Sequence, residues 1–244
     1  METKLNELYF FLLENRKYNF DLQNNYYKRI LKNQETPKDK LIALLYETAN
    51  TQSRPKIDKL KNFHKKIFDN EKSLNNFRTF VNFLNLDQRT NFEGLFSGLR
   101  KQEGWGDKTS ALFVKVIYHI HNGEYDKELK IWNDVPSFNE NDDLLYLPVD
   151  SVIINIFNKI YPQNWTFKTI NQKLLSTNTF KKIDIEVWDD LWFWGFLNQK
   201  GSSERIFEWN EGKYWMLRDS KKDKNSITEI KEKSAQFNSI LNKN

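Results

Sequence analysis

The 244-residue chain carries 38 Lys and Arg against 33 Asp and Glu, for a formal net charge of +5, and it has no cysteine. That length suffices to bury a real core in one large or two small domains. A 39% hydrophobic, 15% aromatic composition excludes a disordered, collagen-like or mucin-like chain, and the missing cysteine excludes disulfides, thiolate zinc sites, cysteine nucleophiles and iron–sulfur clusters.

Only 8 Gly and 5 Pro among so many apolar residues favour helices over a turn-rich β protein. The first apolar run, Leu8 to Leu13, is too short and too charged at its flanks for a signal peptide or membrane span. A soluble, cytoplasmic protein is therefore expected. Apolar periodicity then predicts amphipathic helices over roughly 3–17, 19–33, 38–50, 55–69, 71–85 and 88–101. Thr36-Pro37 opens one of them, and Ser53-Arg54-Pro55 separates two others.

The stretch "NFEGLFSGLRKQ" (91–102) keeps Phe92, Leu95, Phe96 and Leu99 on one face and ends at Glu103-Gly104-Trp105-Gly106. A new helix runs from about Asp107 to His121, so the two form a helix–hairpin–helix. Gly104 and Gly106 allow positive φ and a close approach, and a helix N-terminus offers free N–H donors to a phosphate. The same glycines are equally explained as the makers of a turn. Residues 122–147 are polar and read as an excursion with at most a short strand pair or helix. The next helix begins at Asp150, a ready N-cap, with Val152, Ile153, Ile156 and Phe157 on its core side. A further helix covers roughly 184–199, residues 204–217 read as a β-hairpin or aromatic flap, and the last twenty-odd form a polar helical tail.

Lys108 falls in the first turn of the hairpin's second helix, where the dipole and desolvation disfavour an ammonium and favour the neutral amine that a Schiff-base nucleophile requires. A lysine that merely snorkels into solvent satisfies the same pattern. Asp150 has capping as its ordinary use, and a carboxylate at such a cap can also face a cleft and accept a proton. His119 and His121 are two apart on a helix and point apart, so no metal and no cofactor are expected.

The run Gly104, Gly106, Lys108 at one helix start, followed by Leu147 to Asp150 at another, resembles the signature of the helix–hairpin–helix DNA glycosylases. "DKTSALFVKVIYHIH" and "DDLWFWG" (189–195) are most similar to the archaeal-type 8-oxoguanine members. The matching motifs lie within about 90–200. The resemblance implies an all-α fold of two helical subdomains flanking an active-site cleft. One subdomain would comprise approximately 1–86 plus 160–244, and the other 87–160 with an insertion at 122–143. It implies a bifunctional base-excision repair enzyme, a monomer acting on duplex DNA with a damaged base, 8-oxoguanine first. Lys108 would be the nucleophile and Asp150 its partner carboxylate. A glycosylase for another modified base, or a non-catalytic DNA-binding module, are the alternatives. Gly104, Gly106, Arg100, Lys101 and Lys115 would hold the DNA backbone, although the three basic residues also suit a solvated face. Trp188, Trp192 and Trp194, with Asp189 and Asp190, are the candidates for the pocket of a flipped base, and each tryptophan is also a reasonable core residue.

Overall fold

The computed structural model describes residues 2–85, 89–176, 180–201, 205–217 and 224–243. The chain is predominantly helical. In order it forms α1 (Glu2–Glu14), α2 (Arg16–Leu31), α3 (Pro37–Asn50), α4 (Ile57–Phe68), α5 (Phe77–Leu84), α6 (Phe92–Arg100) and α7 (Asp107–Asn122). Then come α8 (Ser151–Ile160), α9 (Phe167–Leu175), α10 (Ile185–Trp188), α11 (Asp190–Leu197), α12 (Glu211–Leu217) and α13 (Lys224–Asn242). The two-residue strands β1 (Gln199–Lys200) and β2 (Ile206–Phe207) pair antiparallel. Among the described residues no helix is long and apolar enough to cross a membrane.

Local chemistry sets several boundaries. The Thr36 hydroxyl accepts from Asp39 N at 3.1 Å, with Pro37 in the first turn of α3. The helix expected over 71–85 is broken, because the Asn76 side chain accepts from Thr79 N and starts α5 anew. Residues 161–183, left without an element by periodicity, hold α9, opened by a reciprocal Thr166/Thr169 capping box. The segment expected as a flap divides between β2 and α12.

The chain forms two compact units. The first comprises Met1–Leu22, Val149–Phe180 and Asp184–Asn244, and the second Gln23–Pro148 and Lys181–Ile183. The division falls inside α2 and at the start of the 149–160 segment, so the helices of 23–85 belong with the hairpin rather than with the C-terminal helices. That differs from the partition 1–86 plus 160–244 against 87–160.

In the first unit, Trp194 is wholly buried, with its ring edge-on to Phe11 and Tyr18 at 5.1 and 5.7 Å between centroids. Trp188 is buried equally, beside Tyr9 and Phe180. Gly195 brings α11 against α8: a Cβ there would lie 2.4 Å from Ile156 Cδ1 and 2.8 Å from Val152 Cγ1.

In the second unit, the expected polar excursion at 122–147, with its insertion at 122–143, forms a strap anchored to the core. Leu129, Ile131 and Trp132 are buried. The Trp132 ring meets Phe77 and Phe80, and its indole N–H donates to Leu74 O at 2.8 Å. Two aspartates of the strap sit at helix starts distant in sequence. Asp134 accepts from Phe77 N and Arg78 N at the head of α5, and Asp143 accepts from Phe92 N at the head of α6. An unpaired donor in the helix head would cost free energy, so these carboxylates fasten the strap.

Candidate active site

The hairpin of the second unit is built by α6, a six-residue turn and α7. Asn91 starts α6 by accepting from Gly94 N at 2.9 Å, and Gly94 is required there because a Cβ would fall 1.8 Å from Arg89 O. Within the turn Gly104 has φ +82°, and a Cβ would meet Leu60 Cδ2 at 2.8 Å. Gly106 differs from expectation. Its φ is −110° and an added Cβ would meet nothing within 4 Å, so neither conformation nor space demands glycine. It is the N-cap of α7, and having no side chain it supplies no capping oxygen. The Trp105 side chain pins the turn from beneath, edge-on to Phe63 and Phe113.

Lys108 follows in the first turn of α7, half-buried, with Nζ 3.5 Å from Thr51 O at the end of α3. The other basic residues named for the DNA backbone are partly engaged. Arg100 is ion-paired with Asp107, and Lys101 donates to Asn85 Oδ1 at 2.9 Å. Lys115 is half-buried on α7. Beside this face lies a pair that spacing did not reveal. Tyr146 packs on Phe96 at 4.4 Å and bonds Glu93. Burial pushes the Glu93 carboxyl above its ordinary value, while burial, then the neighbouring Glu93 charge, lift the Tyr146 phenol to about 12.

Asp150 belongs to the first unit. Its Oδ1 accepts from Val152 N and Ile153 N at 2.8 and 3.2 Å, which makes it the N-cap of α8, and its Oδ2 accepts the indole N–H of Trp192 at 2.9 Å. Trp192 is half-exposed and stacks on Phe196, one turn along α11, at 4.9 Å and 15°. Lys213 lies over the Phe196 ring at 4.7 Å and donates to Gln199 O. Burial first, and then the nearby Arg205, lowers the Lys213 ammonium's pKa. Arg205 in turn donates to Gln199 Oε1 and to Ser151 Oγ. The result is a ledge with a stacked aromatic pair, a carboxylate bonded to Trp192, a cation over Phe196, and Arg205 bonded to Ser151 beside the carboxylate. Phe196, Lys213 and Arg205 were not anticipated, because the contacts that join them cross from α11 and β1 to α12 and the residue preceding β2.

The tryptophan and aspartate candidates therefore separate. Trp192 joins Asp150 on the ledge, whereas Trp188 and Trp194 are enclosed by the unit's own aromatic side chains. Asp190 is buried and engaged within the fold: it accepts from Asn19 Nδ2 at 2.6 Å and lies 3.5 Å from Arg16 Nε. Asp189 is buried as well. The five candidates do not share one surface: Trp192 faces the ledge while the other four are buried, because α11 is apolar on most sides and packing decides which of its rings faces solvent. A groove of about 460 Å³ in the same unit, lined by Phe10, Phe11, Gln236 and Ile240 among others, contains none of these residues.

No protein family, curated protein or solved structure matches the chain.

Proposed function

We propose that the protein is a bifunctional DNA glycosylase and AP lyase that excises an oxidised base, with 8-oxoguanine as the first candidate. The observation that carries this reading is the glycine hairpin: a turn held at positive φ by Gly104 leads into a helix whose N-terminus has no side-chain cap and bears Lys108 in its first turn. Such an end suits a phosphate, and a lysine there is presented to the sugar that the phosphate positions. Asp150 and the half-exposed Trp192 support it, as a carboxylate and a stacking surface joined by one hydrogen bond.

In this reading the target nucleotide is extruded from the duplex. The Lys108 amine forms a bond to C1′ as the glycosidic C1′–N bond breaks, and the electron pair leaves with the base, which takes up a proton. Asp150 stabilises the cationic sugar, and the proton released by the amine passes to water. The sugar ring opens to the imine, loss of a C2′ proton expels the 3′ phosphate, and water then releases Lys108.

A second reading, a DNA-binding module without catalysis, is favoured by one observation: both Asp150 oxygens are already used, in the cap and on Trp192. Borohydride trapping separates the two. Wild type incubated with duplexes carrying 8-oxoguanine or an abasic site is expected to give a covalent adduct, and Lys108→Gln none. Equal trapping by both proteins overturns the assignment of Lys108. Duplex binding with no adduct at all leaves the binding module.

A further inference from the structure

The hairpin that is assigned to DNA has little charge of its own. Between residues 100 and 108 three cationic residues face two acidic ones, and Arg100 is spent on Asp107. The helix packed beside it is different. α4 buries Leu60, Phe63 and Ile67 against the unit. Leu60 lies under Gly104, Phe63 meets Trp105, Asn62 donates to Glu103 at 3.4 Å and Lys66 to Gln102 at 2.7 Å. One flank of α4 thus runs along the hairpin turn.

The rest of α4 is basic. Lys59, Lys61, Lys65 and Lys66 stand against Asp58 alone, and all four lysines are exposed. Burial lowers the His64 pKa, so that side chain adds no charge at neutral pH. Some surface lysines elsewhere are neutralised: Lys28 by Asp126, Lys38 by Glu71, Lys200 by Glu208 and Lys243 by Glu7. Among the described residues no such partner is found for Lys59, Lys61, Lys65 or Lys66. Lys59 and Lys66 are two turns apart on the hairpin side, about 10 Å along the axis, and Lys61 and Lys65 one turn apart on the adjoining side. Clustered like charges repel one another, and they are relieved by a partner with regularly repeated negative charge.

We infer that α4 is a docking surface for the phosphate backbone of duplex DNA, and that it, more than the hairpin, supplies the electrostatic attraction that brings DNA to the turn. This rests on the reading of the hairpin as a DNA-contacting element. Contacts of this kind carry no sequence information, so α4 contributes equally for damaged and undamaged duplexes.

The test is the salt dependence of binding. Affinity for an undamaged duplex is measured from low to physiological salt for wild type, for Lys59→Gln/Lys61→Gln/Lys65→Gln, and for the charge-matched control Lys159→Gln/Lys168→Gln/Lys231→Gln. Each lysine that meets a phosphate contributes about 0.9 to the slope of log K against log salt. The α4 triple is expected to flatten the slope by 2 to 3, and the control to leave it unchanged. An unaltered slope in the α4 triple, or an equal loss in the control, overturns the inference. If wild type still forms the borohydride adduct in that event, the glycosylase reading survives without it. If wild type binds anionic vesicles and no duplex, both fall.

Discussion

Asp150 divides its carboxylate between two helices: Oδ1 caps the head of α8, and Oδ2 holds the indole N–H of Trp192 on α11 at 2.9 Å. A single side chain therefore sets both where α8 begins and how the half-exposed Trp192–Phe196 stack is turned.

Substitution at Asp150 separates these duties from catalysis. Asp150→Asn keeps a side-chain oxygen for the cap but sets an amide N–H against the Trp192 indole N–H, so its denaturant midpoint is expected to fall less than that of Asp150→Ala. Asp150→Ala loses the cap and is expected to cost about 1–2 kcal/mol. If the glycosylase reading holds, Asp150→Asn cleaves an 8-oxoguanine duplex at least about 100-fold more slowly despite keeping the cap. Full activity in Asp150→Asn would confine this residue to a structural part.

The two glycines of the hairpin are expected to respond differently. Gly104→Ala forces a side chain into a left-handed conformation and against Leu60, with an expected loss of about 1–3 kcal/mol. Gly106→Ala meets nothing and costs under about 1 kcal/mol, through the weaker cap alone. Paired urea melts check the order, and the reverse order would contradict the turn geometry.

His121 makes stability fall in acid. Its ring accepts from Ile131 N at 3.2 Å and lies against Trp132. Burial, followed by the Lys130 charge, pushes its pKa from 6.5 down to about 3. Because the unfolded chain takes up the proton first, this contribution is complete above pH 6.5 and is lost as pH falls towards 3. The slope is at most about 1.4 kcal/mol per pH unit. His121→Gln, which keeps an acceptor, is expected to flatten the dependence of the urea midpoint in that window. An unchanged profile would place the acid sensitivity elsewhere.

The strap makes a prediction about folding. Asp143 is 1% exposed and accepts from Phe92 N and Asn139 N, so Asp143→Ala strands two donors and is expected to cost about 2–4 kcal/mol. Asp134→Ala, at the more exposed head of α5, is expected to cost about 1–2 kcal/mol. Equal and negligible losses would mean that the strap is dispensable.

What the sequence by itself determined is local. Apolar spacing located most of the helices, Thr36-Pro37 and Asp150 marked helix starts that their side chains do cap, and the glycine turn identified the hairpin, because all of these depend on chemistry within a few residues. Only the tertiary structure decided the rest. The polar-looking stretch from 122 to 143 is anchored to the core, since Trp132 finds Phe77 and Phe80 and its aspartates find helix heads some fifty residues away. On α11, Trp192 lies at the surface while Trp194 is enclosed, a choice that a helix apolar on most sides cannot encode in its period. The unpaired charge of α4 is likewise invisible in a lysine-rich chain: which lysines find carboxylates depends on what lies beside them in the fold.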